Sequence, residues 1–290
     1  MSDLEIQAGL GRSPRARAAR SSRSRRFGVA EILAGLFTLF LVTAALFPAL
    51  VAPGDPLGIN PLSAFQTPSP AHWFGTDESG RDIYTRVSHG TGSSLLIGTL
   101  ATLIGLGLGL VLGTLAGMLG PVVDFTVNRF LEVLFAFPGL LLALLFILIF
   151  GRGVATACVA VGLATAPGYA RIIRGQLVSV RSSAFVEAAT VLGRRPGQIL
   201  LRHILPNTLA PLFVLGTLGV GQAIVWASAL SYLGLGAAPP AAEWGAMLSA
   251  GRIYISSAWW MSFFPGLFIV LTAVSATALG RGIERRMRHA

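Results

Sequence analysis

Six stretches of this chain are long and apolar enough to cross a lipid bilayer, and no other feature restricts its fold as strongly. A hydrocarbon core about 30 Å thick needs roughly 20 apolar residues in an α-helix. Such stretches occupy residues 30–51, 94–117, 130–150, 154–168 with an extension to 173, 209–231 and 260–280. The only charges inside these limits are Glu31, Glu132 and Arg171, each close to a span end. Composition agrees: 12% of the 290 residues are charged, against roughly 25% in an ordinary soluble domain. A typical soluble enzyme and a disordered chain are both excluded. The expected fold class is all-α, a polytopic membrane protein with six transmembrane helices.

All 22 basic residues are Arg; the chain has no Lys. A Walker-type lysine, a Schiff-base lysine and a lysine general base are therefore impossible within it. The single Cys158 excludes a disulfide framework, and no Cys-based metal site has enough ligands. The distribution of Arg sets the expected orientation, because positive charge collects on the cytosolic side. With the N-terminus inside, 18 arginines are cytosolic: seven in the tail, Arg129, six from Arg171 to Arg202, and four from Arg281 to Arg288. Arg81, Arg86, Arg152 and Arg252 lie outside. Both termini are thus expected in the cytosol, and the net charge of +10 is a topology signal. Nucleic-acid binding is the competing reading of the basic tail; no nucleic-acid partner is expected. Ser24-Arg25-Arg26-Phe27 imitates part of a twin-arginine signal. The apolar run after it is too long for a cleavable h-region of about 7–15 residues, so the first span should be retained.

Within the spans, Gly105, Gly109, Gly113 and Gly117 recur every four residues and share one helix face. That pattern predicts close helix packing, as in small-xxx-small interfaces. Pro138, Pro167, Pro211 and Pro265 lie in or beside spans and can kink them. No charge sits at the centre of any span, where a proton-driven transporter usually carries a relay. Gln222, Ser228, Thr272 and Ser275 could line a weakly polar path or hydrogen-bond between helices. If the chain moves a solute, the energy should enter from outside the membrane.

The longest cytosolic segment, about residues 174–208, has a helix expected from Ala184 to Leu192. Ser183 is a candidate N-cap, Glu187 suits the helix dipole, and Gly193 can take the left-handed position after the end. Ala188 and Ala189 are small, and Phe185, Val186 and Val191 offer apolar area. The helix suits a partner's groove or the bilayer surface. A second helical run covers residues 198–204 and leads to Pro206-Asn207.

Glu187-Ala188-Ala189, Gly193 and Arg202-His203-Ile204-Leu205-Pro206-Asn207 together resemble the EAA loop of binding-protein-dependent ABC importer permeases. The resemblance implies the type I ABC importer permease fold and a coupling helix that docks on an ATP-hydrolysing subunit. Outside, Phe74-Gly75-Thr76-Asp77, Gly80-Arg81-Asp82 and Arg86 resemble the second permease subunit of the dipeptide, oligopeptide and nickel branch. Residues 231–236, 239–240, 244–248 and Phe264-Pro265-Gly266 are similar to the same branch. The chain departs from the family at Gly92, where Arg is common, and at Arg194-Arg195-Pro196-Gly197, where an acid-containing turn is common.

The resemblance implies import of peptides or related small solutes, with nickel chelates and glutathione as alternatives. The implied partners are a second homologous permease, two ATP-binding domains, an external solute-binding protein and membrane lipid. ATP and Mg would sit in the partner ATPases; this chain would hold no cofactor, no metal and no catalytic residue. The implied location is the plasma membrane, a bacterial inner membrane. The expected organisation is a cytosolic tail at 1–27, a first helix with external segment at 28–93, the five-helix permease domain at 94–282 and a tail at 283–290. A membrane-embedded hydrolase would need an intramembrane Ser–His pair, which no span provides. A secondary transporter acting alone is the other rival. Asp77, Glu78, Arg81, Asp82 and Arg86 read either as a solvated loop capping the bundle or as a contact with a binding protein or the partner permease. Glu243, Trp244, Trp259 and Trp260 read as an interfacial belt. His72, His89, His203 and His289 are too scattered to hold a metal.

Overall fold

The computed structural model describes residues 28–287. The Arg-rich tail at 1–27 lies outside the described residues, as do Arg288 and His289. The described residues form eleven α-helices and no strand. The order is α1 (Val29–Leu46), α2 (Pro48–Val51), α3 (Ile83–Met118), α4 (Pro121–Phe135), α5 (Gly139–Phe150) and α6 (Val154–Arg181). It continues with α7 (Ala184–Val191), α8 (Pro196–Ile199), α9 (Leu205–Tyr232), α10 (Trp244–Gly251) and α11 (Trp260–Met287). Five helices are each long and apolar enough to span a bilayer, and a bent pair, α4 with α5, makes a sixth crossing when counted as one.

That bent pair stands where one span is expected at 130–150, and its bend falls at Pro138, one of the prolines expected to kink a span. The two halves meet at 89°. Pro138 supplies no N–H and disfavours helical backbone at Phe137. It adopts an extended conformation, and α5 restarts at Gly139. Pro167, Pro211 and Pro265 are instead accommodated within α6, α9 and α11. Other boundaries also move. The second span begins at Ile83, so one helix runs through residues 93 and 94. The first span stops at Leu46, before Pro48 opens α2.

The central pair of the bundle is α3 against α6. A Cβ at Gly105 would stand 2.5 Å from Thr165 Oγ1, and at Gly109 2.6 Å from Tyr169 Cβ. At Gly113 and Gly117 it would stand 2.8 Å from Ala170 O and 3.2 Å from Leu177 Cβ. Water drives no helix association inside lipid, so backbone contact of this closeness supplies the packing energy. Ser228, Thr272 and Ser275 are buried between helices, whereas Gln222 is exposed.

Polar contacts sort the connections into two ends. At one end Arg86 donates to Pro56 O and Pro240 O, and Gly153 N donates to Leu235 O. At the other, Arg174 binds Asp124 with two nitrogens and Arg181 reaches Gly117 O. Glu31 in the first turn of α1 pairs there with Arg285 and Arg286 of α11.

Candidate coupling loop and external clasp

The connection from α6 to α9 folds back against the bundle. α7 starts after Ser183, whose backbone is extended but whose side chain caps nothing; its Oγ donates to Val180 O. The expected side-chain cap is therefore absent, and the helix begins on backbone geometry alone. Its end matches a Schellman arrangement. Gly193 has φ +73°, its N–H donates to Thr190 O, and Arg194 N–H donates to Ala189 O. This left-handed position turns the chain toward α8.

Val186 and Ala189 are three residues apart and face inward, each 5% exposed. They join Ile173 and Leu177 of α6 and Ile199 and Ile204 in one apolar cluster. Of the small and apolar residues that suit α7 to a partner's groove, Ala189 and Val186 are thus corrected: helical spacing puts them on the buried stripe, away from any partner. Phe185, Ala188, Val191 and Leu192 make up the exposed apolar surface, with Glu187 also exposed. Val191 is 83% exposed. Beside α7 lies a cleft of about 480 Å³ lined by Met118, Arg181, Glu187, Thr190, Arg194 and Pro196, among others.

After α8 the helix does not pause at Pro206-Asn207. A wide π-type turn at Leu200–Ile204 runs directly into α9, with Pro206 in its first turn. Arg194 Nη1 lies 3.1 Å from His203 Nε2, and Asn207 Nδ2 donates to His203 O at 2.6 Å. Arg202 is exposed. The motif residues Glu187, Ala188, Ala189, Gly193, Arg202, His203, Pro206 and Asn207 therefore share one compact elbow. Its apolar underside is fixed to α6 and α9, while its top is open.

At the opposite end the second motif builds a buried clasp, which corrects the solvated-loop reading. Asp77, Arg81 and Arg86 are each at most 8% exposed. Asp77 accepts from Arg81 Nε at 2.7 Å and from the N–H groups of Ser79 and Arg81. Arg81 Nη2 donates to Glu78 at 2.8 Å, and Arg86 Nε stands 3.6 Å from Asp77. Asp82 caps α3 through Thr85 N and meets His72 Nδ1 at 2.9 Å. Gly75 and Gly80 both have φ +73°, and a Cβ on Gly75 would strike Gln66 O at 2.6 Å. Thr76 Oγ1 accepts from Gln66 N and donates to Ser63 O. Phe74 stacks on Phe264 with centroids 4.0 Å apart.

The tryptophans expected in an interfacial belt also belong here. Trp260 Nε1 donates to Thr76 O, and Trp244 Nε1 to Val87 O; both rings are buried. Glu243 caps α10 with both carboxylate oxygens, at 2.8 Å from Gly245 N and Ala246 N. Trp259 alone of these is exposed, at 51%. A side chain buried with a polar partner is not waiting at a headgroup layer. Among the described residues, no group of three His, Cys, Asp or Glu could hold a metal.

A bundle of membrane-crossing helices, with an apolar-topped elbow at one end and a locked clasp at the other, defines a polytopic membrane protein. Residues 109–289 match the family described as binding-protein-dependent transport system inner membrane component. The chain belongs to that family, the permeases of ABC importers. It is 38% identical over 249 residues to the dipeptide transport system permease protein DppC of Alkalihalophilus pseudofirmus, covering 86% of this chain and 82% of the relative. It is 42% identical over 252 residues to the glutathione transport system permease protein GsiD of Shigella flexneri serotype 5b, covering 87% and 83%. In fold it is similar to the inward-facing MetNI methionine ABC transporter, with a TM-score of 0.57 and 19% identity. That match covers 69% of this chain and 95% of the solved one.

Proposed function

We propose that this chain is one of two permease subunits of an ATP-driven importer for peptides or related small solutes. The assembly has two ATP-binding domains, holding ATP and Mg, one of which docks on the exposed face of α7, and this chain itself binds no cofactor and catalyses no reaction. A second homologous permease completes the path, and an external solute-binding protein delivers the solute. Both termini face the cytosol, in agreement with the Arg distribution, and the membrane is the bacterial inner membrane. The observation that carries this reading is the elbow. Its open face offers Phe185, Ala188 and Leu192 to a partner, while Val186 and Ala189 pack on α6 and on Ile199 and Ile204, in α8 and the turn that leads into α9. A push on α7 therefore reaches two membrane-crossing helices.

Glutathione is a second candidate solute, favoured by the 42% identity to a permease of a glutathione system. It is itself a small peptide, so the two readings share the chemistry of amide groups. Purification followed by uptake assays tests the proposal. ATPase subunits should copurify, and proteoliposomes with the full assembly should accumulate a labelled di- or tripeptide only with ATP and the binding protein. Uptake by this chain alone would refute it.

A further inference from the structure

One polar side chain stands open at the middle of a span. α9 contributes an apolar stretch at Pro211–Tyr232. Gln222 lies ten residues from its Tyr232 end, or about 15 Å at 1.5 Å per residue. That is half of a hydrocarbon core about 30 Å thick. Gln222 is exposed, and its amide has no hydrogen-bond partner among the described residues. The other polar side chains first grouped with it, Ser228, Thr272 and Ser275, are buried. An unpaired amide facing lipid at this depth costs several kcal/mol per unsatisfied group. It belongs against protein or water.

Depth and surroundings point to the same spot. Thr165 lies eleven residues into α6 from the end that adjoins Leu235, about 16 Å deep. Thr165, Tyr169 and Gln222 line one cavity of about 290 Å³ with Trp226 and Gly139. The break between α4 and α5 forms its rim through Phe137 and Gly139. Non-helical backbone at membrane depth is tolerated only where protein buries it or a water-filled cavity meets it. Pro138 and Phe137 at the break are exposed in this chain. Two independent features, an open amide and an open helix break, thus require the same aqueous or protein-filled space. No charged side chain lines the cavity.

We infer that Gln222, with Thr165 and Tyr169, forms this subunit's solute-contacting station at the membrane midplane, and that it takes the neutral amide backbone of a passing peptide. The inference rests on the importer reading above. Thr165 Oγ1 already donates to Val161 O and Gly162 O and so offers an acceptor; with the Gln222 carboxamide and the Tyr169 hydroxyl, which can each donate and accept, the set matches peptide N–H and C=O without regard to side-chain charge. The walls lie on α6, against which α7 packs, and on α9, into which the elbow runs. The station therefore changes shape when the elbow moves.

The test uses the complete transporter in proteoliposomes, with trialanine as solute. Gln222→Leu removes the amide at similar volume. Uptake should fall about tenfold, the scale of one lost hydrogen bond, while ATPase stimulation by the binding protein persists. Gln222→Asn should recover part of the uptake. A second measurement does not depend on the solute. Gln222→Cys, in a background with Cys158→Ala, should react with a cationic, membrane-impermeant methanethiosulfonate, and trialanine should slow that reaction. Unchanged uptake in Gln222→Leu, or labelling of Gln222→Cys only by a lipid-soluble maleimide, overturns the inference. A wild-type complex that moves no peptide overturns the importer reading instead, and aqueous access at residue 222 still decides whether the cavity lies on the path.

Discussion

Arg86 offers the most demanding test of the clasp. Its side chain is 6% exposed and joins three segments far apart in sequence. It donates to Pro56 O at 2.9 Å and Pro240 O at 3.2 Å, and sits 3.6 Å from Asp77 Oδ2. The contact to Ala241 O at 3.5 Å is too long to count for much. Arg86→Met keeps the aliphatic stem and deletes the guanidinium. Two carbonyls, on half-buried Pro56 and exposed Pro240, then lose a charged donor, a hydrogen bond to a charged group contributing about 1.5–3 kcal/mol. Asp77 keeps Arg81 and its two backbone donors, so it is not stranded, and the full cost of a broken buried pair, about 3–5 kcal/mol, does not apply. A net loss of about 3 kcal/mol follows, which is roughly a hundredfold rise in the open population.

The loss should be local. The amides that hold the external segment are Thr76 to Gln66 O, Asp77 to Arg81 O and Ile83 to Gly75 O. In hydrogen–deuterium exchange on the purified complex, these three should exchange about a hundredfold faster in Arg86→Met. Amides in the middle of α3 and α6 should keep their wild-type rates, since the Gly105–Gly117 contacts are untouched. Exchange within threefold of wild type at Thr76 and Ile83 would refute the argument. It would mean that the stacking of Phe74 on Phe264 and the Trp260–Thr76 bond hold the segment without Arg86.

Gly193→Val should impair coupling while membrane insertion stays normal. No atom lies within 4 Å of its would-be Cβ, so the penalty is the left-handed backbone alone, about 1–2 kcal/mol. ATPase activity uncoupled from uptake is the readout, and undiminished transport would contradict it. Gly109→Val should destabilise the α3–α6 pair by about 3 kcal/mol through overpacking, seen as a lower melting temperature in detergent. Gly107→Ala, with nothing within 4 Å, should not lower it. Arg174→Ala should cost only about 1 kcal/mol, because the pair with Asp124 is about one-third exposed. Exchanging the two charges should restore the melting temperature.

The parts legible in the sequence were those whose causes are local. The helix from Ala184 and the turn at Gly193 depend on neighbours within a few residues. Glycines four apart reveal a shared face without knowledge of the facing helix. The clasp was illegible for the opposite reason: Arg86 and its acceptor Pro240 are 154 residues apart. A run of mixed charge next to a span reads as solvated until the distant carbonyls are known. Trp244 and Glu243 are hidden for the same reason, since an aromatic near a span end looks interfacial until its N–H is found on Val87 O. The bend at Pro138 shows the limit most directly. Pro138-Gly139, Pro167-Gly168 and Pro265-Gly266 are the same dipeptide, yet only the first breaks its helix. Pro167 and Pro265 are buried among neighbouring helices, whereas Pro138 is exposed. Packed neighbours constrain the chain around a missing N–H; an open face leaves it free to turn.

That difference links the two ends of the molecule. α6 is gripped by α3 from Thr165 to Leu177, so these two helices cannot slide past each other without separating backbones already in contact. The same stretch of α6 carries Thr165 and Tyr169 on the cavity and Ile173 and Leu177 under α7. α9 carries Gln222 and continues from the turn whose Ile204 packs under α7. On the importer reading, a displacement of α7 should move both cavity walls. At the break between α4 and α5, Gly139 packs closely on Trp226 of α9, while Phe137 and Pro138 before it are exposed. Relative motion between the rigid walls and the broken span should concentrate at Phe137 and Pro138, on the rim of the station that Gln222 occupies.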